Sequence, residues 1–255
     1  VIWNAENCTS AGSYWNPIFS NCSKLANVTI GENVKIIPDY AFYNCSGITS
    51  VTIPDSVTSI GNGAFSGCGG LTSVTIPDSV TSIGGSAFSG CSGLTSITIP
   101  DSVTFIGESA FSYCSGLTSV IWNAENCTSA GSYWNPIFSN CSKLTNVTIG
   151  ANVKTIPSSA FSGCSGLTSV TIGNSVTSIG ELAFRGCSGL TSVTIPNSVT
   201  SIGFQAFRGC SGLKNITYTG TIADWKNIDK GSYWNNSVST TCVIHCTDGD
   251  IKISD

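Results

Sequence analysis

Along most of the chain apolar residues recur in one fixed order. In one unit they are Leu94, Ile97, Ile99, Val103, Ile106, Ala110, Phe111 and Cys114, with Ser, Thr, Gly, Pro and Asp between them. In the preceding unit Val74 and Ile76 alternate with Ser73 and Thr75, which predicts a short strand with one face inward. Pro77-Asp78 then turns the chain. A second inward pair, Val80 and Ile83, leads to a glycine turn, and the segment Gly-x-x-Ala-Phe-x-x-Cys is too short for more than one helical turn. Such a unit cannot bury its own apolar face, but stacked copies can, each rung covering the next in a parallel ladder.

The period confirms a stack. Cys22, Cys45, Cys68, Cys91 and Cys114 are 23 residues apart, as are Cys141, Cys164, Cys187 and Cys210. Between Cys114 and Cys141 the step is 27, and residues 1–25 recur unchanged as 120–144, an offset of 119. A block of five units is thus duplicated in tandem. Ten strands are predicted, beginning at Val1, Val28, Val51, Val74, Ile97, Val120, Val147, Val170, Val193 and Ile216. At about 4.8 Å per rung they span roughly 45 to 50 Å.

The longer unit carries Gly-Ser-Tyr-Trp-Asn, found at 12–16, 131–135 and 231–235. In register, Ile137-Phe138 and Cys141 match the Ala-Phe and Cys of other units, and Trp122 takes the inward place of Ile99. The pentapeptide therefore falls in a turn lengthened by four residues. It reads as bulky packing for a widened coil, with a sugar- or protein-binding surface as the alternative; the copy after Trp225 is expected in the same relation to a rung end.

The tail departs from the repeat. Thr221 to Lys230 predicts a short helix capped by Thr221, and Val243–Cys246 and Ile251–Ile253 predict two strands joined at Asp248-Gly249. The expected division is a solenoid over 1–218 and a cap over 219–255 that stops the ladder. The start has no matching cap, which predicts a piece of a longer array.

The unit L-x-x-V-x-I-P-x-x-V-x-x-I-G-x-x-A-F-x-x-C resembles the BspA-type leucine-rich repeat of surface-exposed and secreted proteins in bacteria and some parasitic protists. The resemblance runs from Val1 to about Tyr218, and the tail is similar to the ends of such arrays in gut bacteria. It implies an α/β repeat solenoid: a right-handed coil with a parallel sheet on the concave face, turns or 3₁₀ segments opposite, and a helix-plus-hairpin cap. It also implies a secreted or cell-surface protein that adheres to host proteins or other cells.

Charge changes the picture by exclusion. Only 9% of residues are charged, against about 25% in ordinary domains. The net charge of -4 is spread without runs, which argues against nucleic acid and a membrane surface. No apolar run approaches the roughly 18 residues of a membrane span. His245 is the sole histidine, so neither a Ser-His-Asp nor a Cys-His constellation is expected elsewhere, and no enzyme activity or cofactor is expected.

Other chemistry has bland readings. The repeat cysteines read as a column of buried free thiols rather than disulfides or a metal stack. Cys242, His245 and Cys246 supply three of zinc's four ligands on a strand where neighbours point oppositely, so a structural cap is favoured and no metal is expected. Asp55, Asp78 and Asp101 recur at one turn position, where an Asp capping its own backbone is favoured over Ca²⁺. Arg185 and Arg208 read as a solvated pair. The outward strand positions carry most functional weight: Ser50, Thr52, Ser73, Thr75, Ser96, Thr98, Ile121, Thr148, Ser169, Thr171, Ser192 and Thr194. Small hydrogen-bonding groups in rows suit an extended protein or glycan partner, although Thr also simply favours strands. The expectation is a monomeric, non-catalytic binding module, with a passive spacer as the alternative.

Overall fold

The computed structural model describes residues 2–3, 19–128 and 130–254. They form a β-solenoid of about eight turns. Each turn contributes one phenylalanine to a buried column: Phe42, Phe65, Phe88, Phe111, Phe138, Phe161, Phe184 and Phe207.

The predicted strands form the main ladder, at Asn27–Ile30, Ser50–Thr52, Ser73–Val74, Ser96–Ile99, Ser119–Trp122, Asn146–Ile149, Ser169–Thr171, Ser192–Ile195 and Asn215–Tyr218. Nine of the ten predicted starts lie inside them; Val1 lies outside the described residues, and its strand is Ile2–Trp3. Pairing is parallel and equivalent residues face one another, as Val120 faces Ile97 and Val147. Where the pattern alternates, so does burial, as in Ser96–Ile99. Pairing lapses after Ser73–Val74 and after Ser169–Thr171, so the row divides into three sheets.

Turns fill much of the rest of each rung, as expected, but no 3₁₀ segment forms among the described residues and a further set of strands appears. The inward Val-x-x-Ile pairs end in a second parallel ladder: Ile36–Ile37, Ser59–Ile60, Ser82–Ile83 and Phe105–Ile106, then Thr155–Ile156, Ser178–Ile179, Ser201–Ile202 and Asp229–Lys230. Two-residue strands are too short to show alternation, which is why the pattern hides them. The α/β expectation is corrected with it: the described residues are nearly all β, with one helix, Ile222–Asn227.

A third rung-to-rung row runs through the Ala-Phe turns. Phe42 N–H donates to the Ala64 carbonyl at 2.7 Å, Phe65 to Ala87 at 2.7 Å and Phe88 to Ala110 at 2.8 Å. Their rings stack, with centroids 5.3 Å apart for Phe42–Phe65 and 5.2 Å for Phe88–Phe111; such pairs add about 0.5–1.5 kcal/mol each beyond area burial.

The cysteine column follows from this row. In seven of the described rungs, as at Phe42 and Phe184, the Phe carbonyl accepts the Cys N–H three residues on and has a second lone pair free. The thiol of the next rung fills it: Cys68 Sγ donates to the Phe42 carbonyl at 3.2 Å, and Cys210 to Phe184 at 3.1 Å. The described cysteines are free thiols, and desolvation pushes Cys91 up to about 12. In the Pro-Asp-Ser turns the bonding residue is Ser, not Asp. Ser79 Oγ donates to the Val57 carbonyl at 2.6 Å and Ser102 Oγ to Val80 at 2.7 Å.

The tail continues the same geometry. Thr221 caps the helix in a capping box with Asp224, but the helix stops at Asn227, because Asp229–Lys230 leaves it to pair with Ser201–Ile202. Val243–Cys246 adds a parallel strand to Asn215–Tyr218, and Gly249–Lys252 folds back antiparallel on it. Cys246 faces Gly249, so the connecting pair is Thr247-Asp248, one residue earlier than expected.

Candidate binding surfaces

All twelve outward positions singled out in the sequence are exposed. Register sets them in rows, with Thr98, Ile121, Thr148 and Thr171 on successive strands and Ser96 two residues before Thr98. Where pairing lapses the surface opens into a recess of about 720 Å³ bordered by Ser73, Thr75, Asp78, Ser96, Thr98 and Asp101. Val74, at this gap, is half-buried while its equivalents Val51 and Ile97 are buried. Sequence could not locate the recess, because the strands flanking it obey the same pattern as all others.

At the tail end of the rows stands His245, opposite Thr217. Its Nδ1 lies 2.9 Å from Asp250 Oδ1 and its Nε2 3.1 Å from Asn215 Oδ1. Cys242 is buried and Cys246 half-buried. Among the described residues no cluster of three or more His, Cys, Asp or Glu is placed to hold a metal ion.

A second surface arises at the turns, and it overturns the packing reading of 131–135. Trp134 is 82% exposed and Tyr133 40%. Their rings meet edge-on, centroids 4.5 Å apart at 88°, and the guanidinium of Arg185 sits 5.0 Å from the Tyr133 centroid. Arg185 is therefore no solvated half of an arginine pair. Its buried Nε has no hydrogen-bond partner.

The copy at 231–235 stands in a different relation to its rung from the one expected. Gly131 and Gly231 start alike, donating to the carbonyls of Ile106 and Ile202. From Gly231 three residues lead to Trp234, whose carbonyl accepts from Phe207 N–H at 2.7 Å, in the place Ala206 takes for Phe184. From Gly131 six residues lead to Ile137, which accepts from Phe111. Trp234 thus packs edge-on against Phe207 (6.2 Å) and Trp225 (5.9 Å) and closes the phenylalanine column. The copy at 12–16 lies outside the described residues.

A family model described as a BspA type leucine rich repeat region matches residues 13–135 and 132–247, in 6 copies. Among solved structures the chain is similar to a leucine rich cell surface protein from Faecalibacterium prausnitzii, with 32% identity over 82% of this chain and 63% of that one and a TM-score of 0.48. It is also similar to a leucine-rich repeat protein from Bacteroides ovatus, with 25% identity over 96% of this chain and 92% of that one and a TM-score of 0.33. A T. pallidum leucine rich repeat protein is 24% identical over 76% of this chain and 68% of its own, with a TM-score of 0.47. The chain spans less than two thirds of the Faecalibacterium protein. No curated protein matches it.

Proposed function

The chain belongs to the BspA type leucine-rich repeat family, and on that premise we propose that it is a non-catalytic, extracellular interaction module of a secreted or cell-surface protein. Folds of this family serve protein interaction and are generally non-catalytic. In this reading residues 1–218 present the binding surface, residues 219–255 end the ladder, and a monomer adheres to a host or cell-surface macromolecule. The coil is right-handed, as parallel crossovers are in about 98% of cases, and the main ladder lines its concave side.

The observation that carries the reading is the surface of the main ladder. Its exposed Ser and Thr rows open into the recess of about 720 Å³ beside Thr75 and Thr98. Such a surface offers many small hydrogen bonds and little charge, which suits a partner held along several rungs. No helix among the described residues is long and apolar enough to cross a membrane.

The test has two stages. Capture of matrix proteins, mucins or glycans on an array identifies a partner; silence across all classes favours a passive spacer. Replacing Thr75, Thr98 and Thr171 by Lys should then abolish capture with an unchanged circular dichroism spectrum. Unchanged capture would sink the proposal that the main ladder binds.

A further inference from the structure

An indole that is 82% exposed gains nothing for the fold, so its posture calls for another account. Trp134 is held by Tyr133, whose ring meets it edge-on at 4.5 Å and 88°, and Tyr133 is held by Arg185, whose guanidinium lies 5.0 Å from the ring centroid. Tyr133 in the long turn and Arg185 in a later rung thus form one unit. The surroundings are polar: Asn135 N–H donates to Ser132 Oγ at 3.2 Å, and Asn135 Nδ2 donates to Glu108 Oε2 at 2.9 Å.

We propose that Trp134, Tyr133 and Arg185 form a saccharide site, with the indole as stacking platform and the guanidinium as reader of an acidic group. The C–H face of a pyranose is apolar and weakly electropositive, and it lies well on the electron-rich face of an exposed ring. Its hydroxyls meet polar neighbours at the rim, here Asn135 and Ser132. Arg185 has no carboxylate partner among the described residues, and Arg pairs bidentately with carboxylates. The two ring separations place it within about one disaccharide length of the indole, so a carboxylate on the stacked sugar or its neighbour reaches it. A protein partner is disfavoured by the polar rim directly beside Trp134, since protein anchors sit in packed apolar centres.

This site is distinct from the main-ladder surface, and its test does not depend on that reading. Titration of the whole chain with sialyllactose against lactose, and with oligogalacturonate against its methyl ester, is read by tryptophan fluorescence and calorimetry. At least one acidic probe should bind tenfold or more tighter than its neutral parent. Trp134→Ala should weaken that binding at least tenfold, and Arg185→Gln should erase the acidic preference while leaving weak neutral binding. The Lys variants of Thr75, Thr98 and Thr171 should bind these sugars as before. Absence of binding to any acidic probe, equal affinity for acidic and neutral members, or full affinity in Trp134→Ala each overturns the proposal. The melting temperature of Trp134→Ala, expected to be unchanged, excludes misfolding as the cause of a loss.

Discussion

Residues 131–135 and 231–235 share one pentapeptide and begin from the same hydrogen bond, yet Trp134 stands in solvent while Trp234 closes the phenylalanine column. The copies differ in which residue comes to stand just before the apolar position of the row. In the plain rungs the residue before the Ala is left-handed: φ is 57° at Tyr40, 54° at Ser86, 60° at Leu182 and 55° at Gln205. Tyr233, with φ 59°, fills that place and delivers Trp234 to the Ala position. After 131–135 the place before Ile137 falls to Pro136, whose ring holds φ near −65°. The left-handed step is closed to it, so the chain needs three more residues to bring Ile137 into the row, and those residues bulge outward carrying Tyr133 and Trp134. The same tryptophan therefore packs on the column or stands in solvent according to whether the residue before the row can be left-handed, while the tyrosine is exposed in both copies.

If Trp234 closes a dry column, that dryness must show in proton binding, and here the effect is largest. Burial raises the thiols; Cys91 reaches about 12, and Cys164 and Cys187 are also raised well above the usual value of 9.0. Raised folded pKa values give stability that is complete below about pH 9 and lost as pH rises toward 12, because the unfolded thiols ionise first. Each deeply buried thiol contributes about 1.4 kcal/mol per pH unit in that window. The urea midpoint should be level from pH 6 to 8 and fall steeply above 9, more gently in Cys91→Ala and Cys164→Ala, and with an unchanged profile in Trp134→Ala. A midpoint flat to pH 11 contradicts a dry column.

The two tryptophans themselves come next. Trp234→Ala, which removes a half-buried ring packed on Phe207 and Trp225, should cost about 2 kcal/mol in urea unfolding, whereas Trp134→Ala should stay within about 0.5 kcal/mol. Equal costs would erase the distinction drawn between the copies.

The proline argument predicts a smaller, conditional effect. Deleting residues 133–135 restores the plain Gly-x-x-apolar spacing but leaves Pro136 where a left-handed residue belongs. The deletion alone should be less stable by roughly 2 kcal/mol than the deletion combined with Pro136→Ser, in line with the cost of a forced backbone. Equal stability of the two variants would mean that the proline does not set the detour.

Much of this was legible in the residues. The strand starts, the inward columns and the outward rows follow from the period and alternation of side chains, because burial in a stacked coil repeats whatever the unit repeats, and Thr221 as helix cap follows from its hydroxyl at the head of the helix. The second ladder was not legible, since two-residue strands such as Ser59–Ile60 show no alternation. Nor was the role of Ser79, whose bond runs to the neighbouring rung's Val57 rather than within its own turn. The stack of Tyr133 on Arg185 was equally hidden, because the two come from rungs that meet only in space.

The sequence by itself determined that the chain coils, where each rung begins, and which positions turn inward, because a 23-residue unit with one apolar face has no way to bury it except on its own copies. Tertiary structure alone decided where the main ladder opens, which thiol meets which carbonyl, and which tryptophan is left outside. Those outcomes depend on hydrogen bonds between rungs and on the backbone dihedrals that bring them into line, and neither is written in the period of the chain.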